Sequence, residues 1–231
     1  MNVKETIYTR TEMMLGKEKT ERLRSMHIAI FGIGGVGGYA AEAIARAGVG
    51  KITLIDPDCV SITNINRQII ALHSTVGEKK VTAMKKRIAD INPECSVFTY
   101  DLFYCEECCA DIDFSVFDYV IDAIDSVKSK VLIVTEAKKL NVPVISAMGA
   151  GNKLDPTKFS VTDIYKTQGD PLARAMRNAL RRAGVKNLKV VFSPEEPFGE
   201  RERSCPGSIS FVPGAVGLIL AGEVIRDLTN I

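Results

Sequence analysis

The residues with the clearest chemistry begin at Gly32. Gly32-Ile33-Gly34-Gly35-Val36-Gly37 follows an apolar run, His27 to Phe31, and opens an Ala-rich segment with helical spacing that stops at Gly48. Glycines in that setting permit a tight turn and close backbone approach to phosphates, which then meet a helix N-terminus. Asp56 closes the next apolar run, nineteen residues after Gly37. An acid there is placed to hydrogen-bond a ribose hydroxyl. Up to this point the pattern fits a nicotinamide dinucleotide and ATP equally well.

The following segments separate the two. Asp56-Pro57-Asp58 leads into Asn64-Ile65-Asn66-Arg67-Gln68, then Gly77-Glu78-Lys79-Lys80, and later Asp122-Ala123-Ile124-Asp125-Ser126. A nicotinamide dehydrogenase has no need of an arginine and a lysine at this place. Cleavage of ATP between its α and β phosphates does, because negative charge builds on the α-phosphorus and on departing pyrophosphate, and fixed cations offset it. A carboxylate at a strand end, Asp125, is suited to hold Mg2+ on the phosphates. Asp122 has two readings: a ligand contact, or a hydrogen-bonding partner of the turn that follows it. His27 and His73 show no partner in the sequence and read as structural.

The elements that must carry these residues alternate. Strands are read at His27–Phe31, Lys51–Ile55, Tyr119–Ile121 and Pro143–Ala147. Helices are read at Val36–Ala47, Gly77–Ile91 and Ser126–Leu140. That order predicts a Rossmann-like α/β fold, a mostly parallel sheet with helices on both faces. After Gly149 the texture changes. Phe159–Tyr165 and Leu188–Phe192 read as strands, extending the sheet in mixed or antiparallel fashion. Asp170-Pro171 opens a helix to about Ala183, with an acceptor residue and then proline at the first helical position. Ser193–Ser208 reads as a polar loop, Ile209–Val212 as a short extended piece, and Ala215–Leu228 as a terminal helix. No linker is evident, so one domain over residues 1–231 is expected.

Composition limits the alternatives. In 231 residues, 46% are hydrophobic and 25% charged, with a net charge of +2. This balance excludes a disordered or collagen-like chain and a disulfide-stapled mini-protein. The segment MNVKETIYTR has no apolar centre like that of a secretion signal, and no run reaches the ~18 apolar residues of a membrane span. A cytoplasmic chain with reduced cysteines and no membrane partner is the expectation. Cys105-Glu-Glu-Cys108-Cys109 has no second pair to complete a zinc site, so ordinary thiols are expected there as well.

In combination, Gly32–Gly37, Asp56-x-Asp58, Asn64-x-Asn66-Arg67-Gln68, Gly77-x-x-Lys80 and Asp122-x-x-Asp125 resemble the E1-like, ubiquitin-activating-type adenylating superfamily, from about Met14 to Ile231. The resemblance implies ATP and Mg2+. Asp56 would bind the ribose; Asn64, Arg67 and Lys80 would contact the phosphates; Asp125 would support the metal and adenylation. Gly32, Gly34, Gly35, Gly37, Asp58, Asn66, Gln68 and Ser126 complete the implied nucleotide site. Arg10 stands where members carry an arginine that reaches into the neighbouring protomer's site, which implies a homodimer. Cys205 stands where some members place a persulfide- or thioester-forming cysteine, but an ordinary loop thiol is expected there. A sulfur-relay protein is a further partner that the resemblance allows.

The second half resembles one branch more closely. Tyr165-Lys166-Thr167-Gln168-Gly169-Asp170-Pro171-Leu172-Ala173, Val191-Phe192-Ser193-Pro194-Glu195 and Gly207-Ser208-Ile209-Ser210-Phe211-Val212-Pro213-Gly214 are similar to the tRNA threonylcarbamoyladenosine dehydratases. That branch uses ATP to activate the threonyl carboxylate of a modified tRNA adenosine, and ring closure then expels AMP. Between Lys166 and Lys189 there are seven basic residues and one acid. Arg174, Arg177, Arg181 and Arg182 fall on one helical face, suited to tRNA phosphates or simply to water. The competing reading is an adenylyltransferase that activates the C-terminus of a ubiquitin-like sulfur carrier. A non-catalytic nucleotide-binding module and a nicotinamide oxidoreductase stand further off, because Arg67, Lys80 and Asp125 would then have no task.

Overall fold

Short, continuous apolar runs make strands that are buried on both faces, and the sheet is built around four of them. The computed structural model describes residues 5–199 and 206–231. Its strands are β1 (His27–Phe31), β2 (Lys51–Ile55), β3 (Ser96–Tyr100), β4 (Tyr119–Asp122), β5 (Val144–Ala147), β6 (Ser160–Asp163) and β7 (Lys189–Phe192). They form one sheet in the order β3-β2-β1-β4-β5-β7-β6. Every neighbouring pair is parallel except β6 and β7, which run antiparallel with Ser160 opposite Phe192 and Asp163 opposite Lys189. The expected parallel sheet with an antiparallel C-terminal extension is what forms. β3 carries no strand signal in the sequence because it is an edge, with no residue fully buried, so nothing demands an apolar repeat.

Helices cover both faces. On one side α3 (Gly37–Arg46), α4 (Lys80–Ile91) and α7 (Phe211–Thr229) enclose a core that includes Ile30, Ile44, Leu54, Met84, Val216 and Leu220. On the other, α5 (Val127–Lys139) and α6 (Pro171–Arg182) cover Phe31, Val120, Ile133, Met176 and Leu180. The start signals read from sequence act as such. Ser126 caps α5 by accepting from Ser129 N, and Asp170 caps α6 by accepting from Ala173 N at 2.8 Å, with Pro171 in the first turn.

One expectation changes, and two elements are added. Ile209–Val212 is not extended: α7 begins at Phe211 and takes Val212 and Pro213 into its first turn, where a missing N–H leaves no helical bond unmade. Two short helices, α1 (Thr9–Leu15) and α2 (Lys17–Ser25), precede the sheet where the sequence carries no periodic apolar face. α7 lies close on α3 because of Gly217: a Cβ there would stand 2.3 Å from the Val36 carbonyl oxygen. Among the described residues, no helix is long and apolar enough to cross a membrane.

Candidate nucleotide-activating site

The predicted residues gather at the C-terminal ends of β1, β2 and β4. The chain departs from β1 toward β2 on one side and returns to β4 on the other, which makes this the crevice where open α/β sheets bind ligands. Gly32 leaves β1 at φ +87°, and a Cβ on it would strike the Ala123 carbonyl oxygen at 2.7 Å. The loop then turns directly into α3, whose first backbone N–H groups have no partner within the helix. That terminus is a fixed positive end at the crevice.

Asp56 stands beside the loop, buried at the end of β2. Its Oδ2 accepts from Ile33 N at 2.6 Å and its Oδ1 from Asp58 N at 2.9 Å. Burial pushes its carboxyl above the ordinary value, and Lys80 and the two N–H groups pull the other way. Lys80 reaches it through a backbone device. Residues 57–60 fold against 77–80, with Val60 N donating to Glu78 O, Lys80 N to Asp58 O, and a bridge between Cys59 and Lys79. Lys80 Nζ consequently lies 2.6 Å from Asp58 Oδ2 and 3.6 Å from Asp56 Oδ1. Lys80 and Asp56 are buried; Asp58 is exposed.

The Asn64–Gln68 segment closes another side. Asn64 Oδ1 accepts from Ser61 N at 3.0 Å and shapes the short turn Ile62–Asn64. The Arg67 stem passes over the loop, since a Cβ on Gly35 would meet Arg67 Cγ at 3.4 Å and Pro213 Cβ at 3.1 Å. Arg67 Nη1 donates to Thr63 O at 2.9 Å and to Asn66 Oδ1 at 3.0 Å. Asn66, an implied nucleotide contact, has both ends of its amide in protein bonds, because Nδ2 donates to Ser208 O at 3.0 Å. Gln68 is buried with its amide near Gly34, and its Oε1 has no hydrogen-bond partner. A buried acceptor without a donor costs free energy, so it fits a ligand that supplies one.

Asp125 is exposed beyond the end of β4, just before the Ser126 cap, and has no hydrogen bond or ion pair among the described residues. Asp122 lies beneath the rim instead of in it. Its Oδ2 accepts from Lys130 Nζ at 2.9 Å and from Ser146 Oγ at 2.5 Å, and all three residues are buried. Its Oδ1 accepts from Ile124 N at 3.4 Å, the turn bond of the second reading, while the pairing with Lys130 and Ser146 belongs to neither reading. Sequence reasoning passed over Lys130, which looks like any helix-surface lysine at its position in α5.

Other predicted residues are dispersed. Arg10 is exposed on α1, and α1 is tied to the opposite end of the strands by Tyr8. That ring lies against Gly48, and its hydroxyl donates to Asn92 Oδ1 at 3.0 Å. Arg174, Arg181 and Arg182 are exposed on α6, but Arg177 is half-buried and donates to Thr167 O at 3.0 Å and to Thr167 Oγ1. Asp170 Oδ2 accepts from Gly149 N at 3.1 Å, just past β5, so α6 begins at the crevice end and runs away from it. Arg181 lies over the Tyr165 ring, 5.3 Å from its centre. Lys189, counted in the basic run, pairs with Glu223 and Asp227 of α7. Cys105 and Cys108 are free thiols with sulfurs 2.8 Å apart, and their hydrogen bond is the main reason the Cys105 thiol is pushed up to about 11. No cluster of three metal-binding side chains occurs among the described residues, and Cys205 lies outside them.

A glycine turn at a switch point, a buried acid, two cations and an exposed carboxylate are the arrangement of a nucleotide-binding α/β protein. The chain belongs to the ThiF family, which matches residues 8–231. It is 46% identical to the tRNA threonylcarbamoyladenosine dehydratase of Bacillus subtilis (strain 168), over 96% of this chain and 94% of the relative. Two solved structures of the E. coli tRNA N6-threonylcarbamoyladenosine dehydratase TcdA share its fold, each with 36% sequence identity and each covering 96% of this chain and 93% of theirs. The complex with AMP gives a TM-score of 0.90 and the complex with ATP 0.88.

Proposed function

We propose that this chain is an ATP-dependent tRNA threonylcarbamoyladenosine dehydratase. The observation that carries the reading is the convergence of Asp56, Lys80, Arg67 and Asp125 on one glycine turn. It is supported by near full-length similarity to relatives of that name, one seen with ATP and with AMP. Asp56 keeps lone pairs for a ribose hydroxyl beyond those used by Ile33 and Asp58. The N-terminus of α3 faces the phosphates, and the Gln68 Oε1 acceptor suits a hydroxyl or amino donor of the nucleoside. Lys80 and Arg67 hold positive charge where the α-phosphorus and the leaving pyrophosphate become more negative, without any reorganisation at the moment of reaction. The threonyl carboxylate joins the α-phosphorus as the bond to pyrophosphate breaks. The carbamoyl nitrogen then closes a five-membered ring and expels AMP, and one water is lost overall.

Asp125 would hold Mg2+, which when bound draws charge from the phosphate oxygens. Its exposed, unpaired carboxylate at the crevice suits a hard cation. The tRNA would lie along the exposed arginines of α6, Arg174, Arg181 and Arg182, with Lys166 and Lys186 nearby. Arg10, remote from its own crevice, would serve the partner's site in a homodimer; the enzyme is cytoplasmic, and a sulfur-relay protein is a further partner of the same reading. Mass spectrometry of tRNA nucleosides after incubation with the enzyme tests the reading. Loss of one water from threonylcarbamoyladenosine, only when ATP is present, supports it. Unchanged tRNA, with an acyl-adenylate and pyrophosphate formed on addition of a ubiquitin-like carrier, would replace it with the carrier-activating reading.

A further inference from the structure

Arg67 can act on phosphates only if its guanidinium presents the correct edge. The Nη1 corner is used up by the Thr63 carbonyl at 2.9 Å and Asn66 Oδ1 at 3.0 Å. What remains is the Nε–Nη2 edge, the fork that matches two oxygens of a phosphate. Asn66 cannot choose its own amide orientation freely. Its Nδ2 donates to Ser208 O at 3.0 Å, which turns Oδ1 toward the arginine. Ser208 follows Gly207, whose carbonyl accepts from Asn152 N at 2.8 Å, and it precedes the helix that brings Pro213 against Gly35. A chain of contacts therefore runs from the entry of α7 through one side-chain amide to the arginine on the phosphate loop.

We propose that Asn66 is a positioning residue for Arg67, holding the Nη1 corner so that the Nε–Nη2 edge serves the β- and γ-phosphates, with its own orientation set by the Ser208 carbonyl. The inference rests on the nucleotide-activating reading of the site but not on the identity of the acceptor. It differs from a direct ligand role for Asn66, which would leave the amide free to meet nucleotide.

The test measures ATP and AMP binding to the full chain by calorimetry for wild type, Asn66→Ala, Asn66→Asp, Arg67→Ala and the Asn66→Ala/Arg67→Ala double variant. A charge-assisted hydrogen bond lost through misorientation corresponds to about a tenfold weaker ATP complex, with AMP changed by less than about twofold. Asn66→Ala should show that split. Asn66→Asp keeps an acceptor for Arg67 but loses the donor to the Ser208 carbonyl and adds a negative charge beside the phosphates, so it should bind ATP no better than Asn66→Ala; wild-type ATP affinity in this variant would overturn the role given to Ser208. The double variant should be no weaker than Arg67→Ala alone, because a positioning residue has nothing left to position. Additive losses in the double variant, or equal losses for ATP and AMP, overturn the inference. An unchanged ATP-to-AMP ratio in Arg67→Ala overturns the phosphate role of the arginine and the inference with it. A failure of the tRNA reading alone shows up instead as unchanged tRNA in the nucleoside assay, with the affinity pattern intact.

Discussion

Replacing Lys80 with methionine keeps most of the aliphatic stem and removes the charge. The ammonium sits 3.6 Å from Asp56 Oδ1, and the two side chains are only 8% and 6% exposed. At an effective dielectric of about 20, a pair at that separation is worth roughly 4–5 kcal/mol before desolvation is counted. Relief of the lysine's own desolvation offsets much of this, and the lost pair with exposed Asp58 adds little, which leaves a net cost to folding of about 2 kcal/mol, or roughly 4–8 °C in Tm for a chain of this length. Asp56 would then stay buried with only its two N–H donors, and its carboxyl, already above the ordinary value, would rise further. A folded-state pKa above the unfolded one means that the folded protein binds the proton more tightly. That contribution is intact below about pH 4 and is lost as pH rises through the folded pKa, so the variant's Tm deficit should be larger near pH 8 than near pH 5. Turnover should fall further than stability, because one fixed cation in a transition state is worth about 3–4 kcal/mol, a hundred- to a thousandfold in rate. Scanning calorimetry across pH and tRNA-dependent AMP release at a temperature where the variant is folded measure both. More than about a tenth of wild-type turnover, or a Tm deficit that ignores pH, would refute the reasoning.

Asp125→Asn should lower turnover about a hundredfold and raise the Mg2+ concentration needed for half-maximal rate, leaving AMP affinity unchanged; a Mg2+ dependence like that of wild type removes the metal from this residue. Arg174→Ala with Arg181→Ala should weaken tRNA binding and flatten its salt dependence by about two units of slope, whereas Arg177→Ala, tied to Thr167, should act on thermal stability more than on slope. An unaltered slope in the double variant would make α6 a solvated face. Mixing Arg10→Ala chains with Lys80→Ala chains should restore activity, because one site of each mixed dimer then has both residues. Inactive mixtures, with exchange verified, would argue that each site is complete in its own chain.

What could be read without coordinates was local. Gly32–Gly37 and Asp56 declare themselves because a turn, a helix start and a strand end impose residue types within a few positions of one another. Asp170-Pro171 does the same for α6. The edge strand β3 was silent because an exposed strand needs no apolar repeat, and Ile209–Val212 misled because proline in a first helical turn looks, in sequence, like a break. The pairings made by topology were out of reach. Lys130 reaches Asp122 and Ser146 only because α5 packs on β4 and β5, and Asn66 meets Ser208 only because a segment 142 residues onward returns to the crevice.

The same distinction bears on the arginines of α6. Periodicity placed them on one face, and the exposed ones do share it. Only the structure gives the helix a direction, and the Asp170 cap on Gly149 N puts its start at the crevice. At about 1.5 Å per residue, Arg182 lies roughly 12 Å farther down the helix than Arg174. A backbone that followed these residues would enter at the crevice end of β5 and descend along the flank of the sheet toward Lys166 and Arg181 on Tyr165. A carrier protein's extended C-terminal tail needs only the crevice and would leave that flank untouched. The reach of the charge down α6, more than its amount, is what favours a nucleic acid whose reacting adenosine sits in the crevice while its neighbours lie outside it.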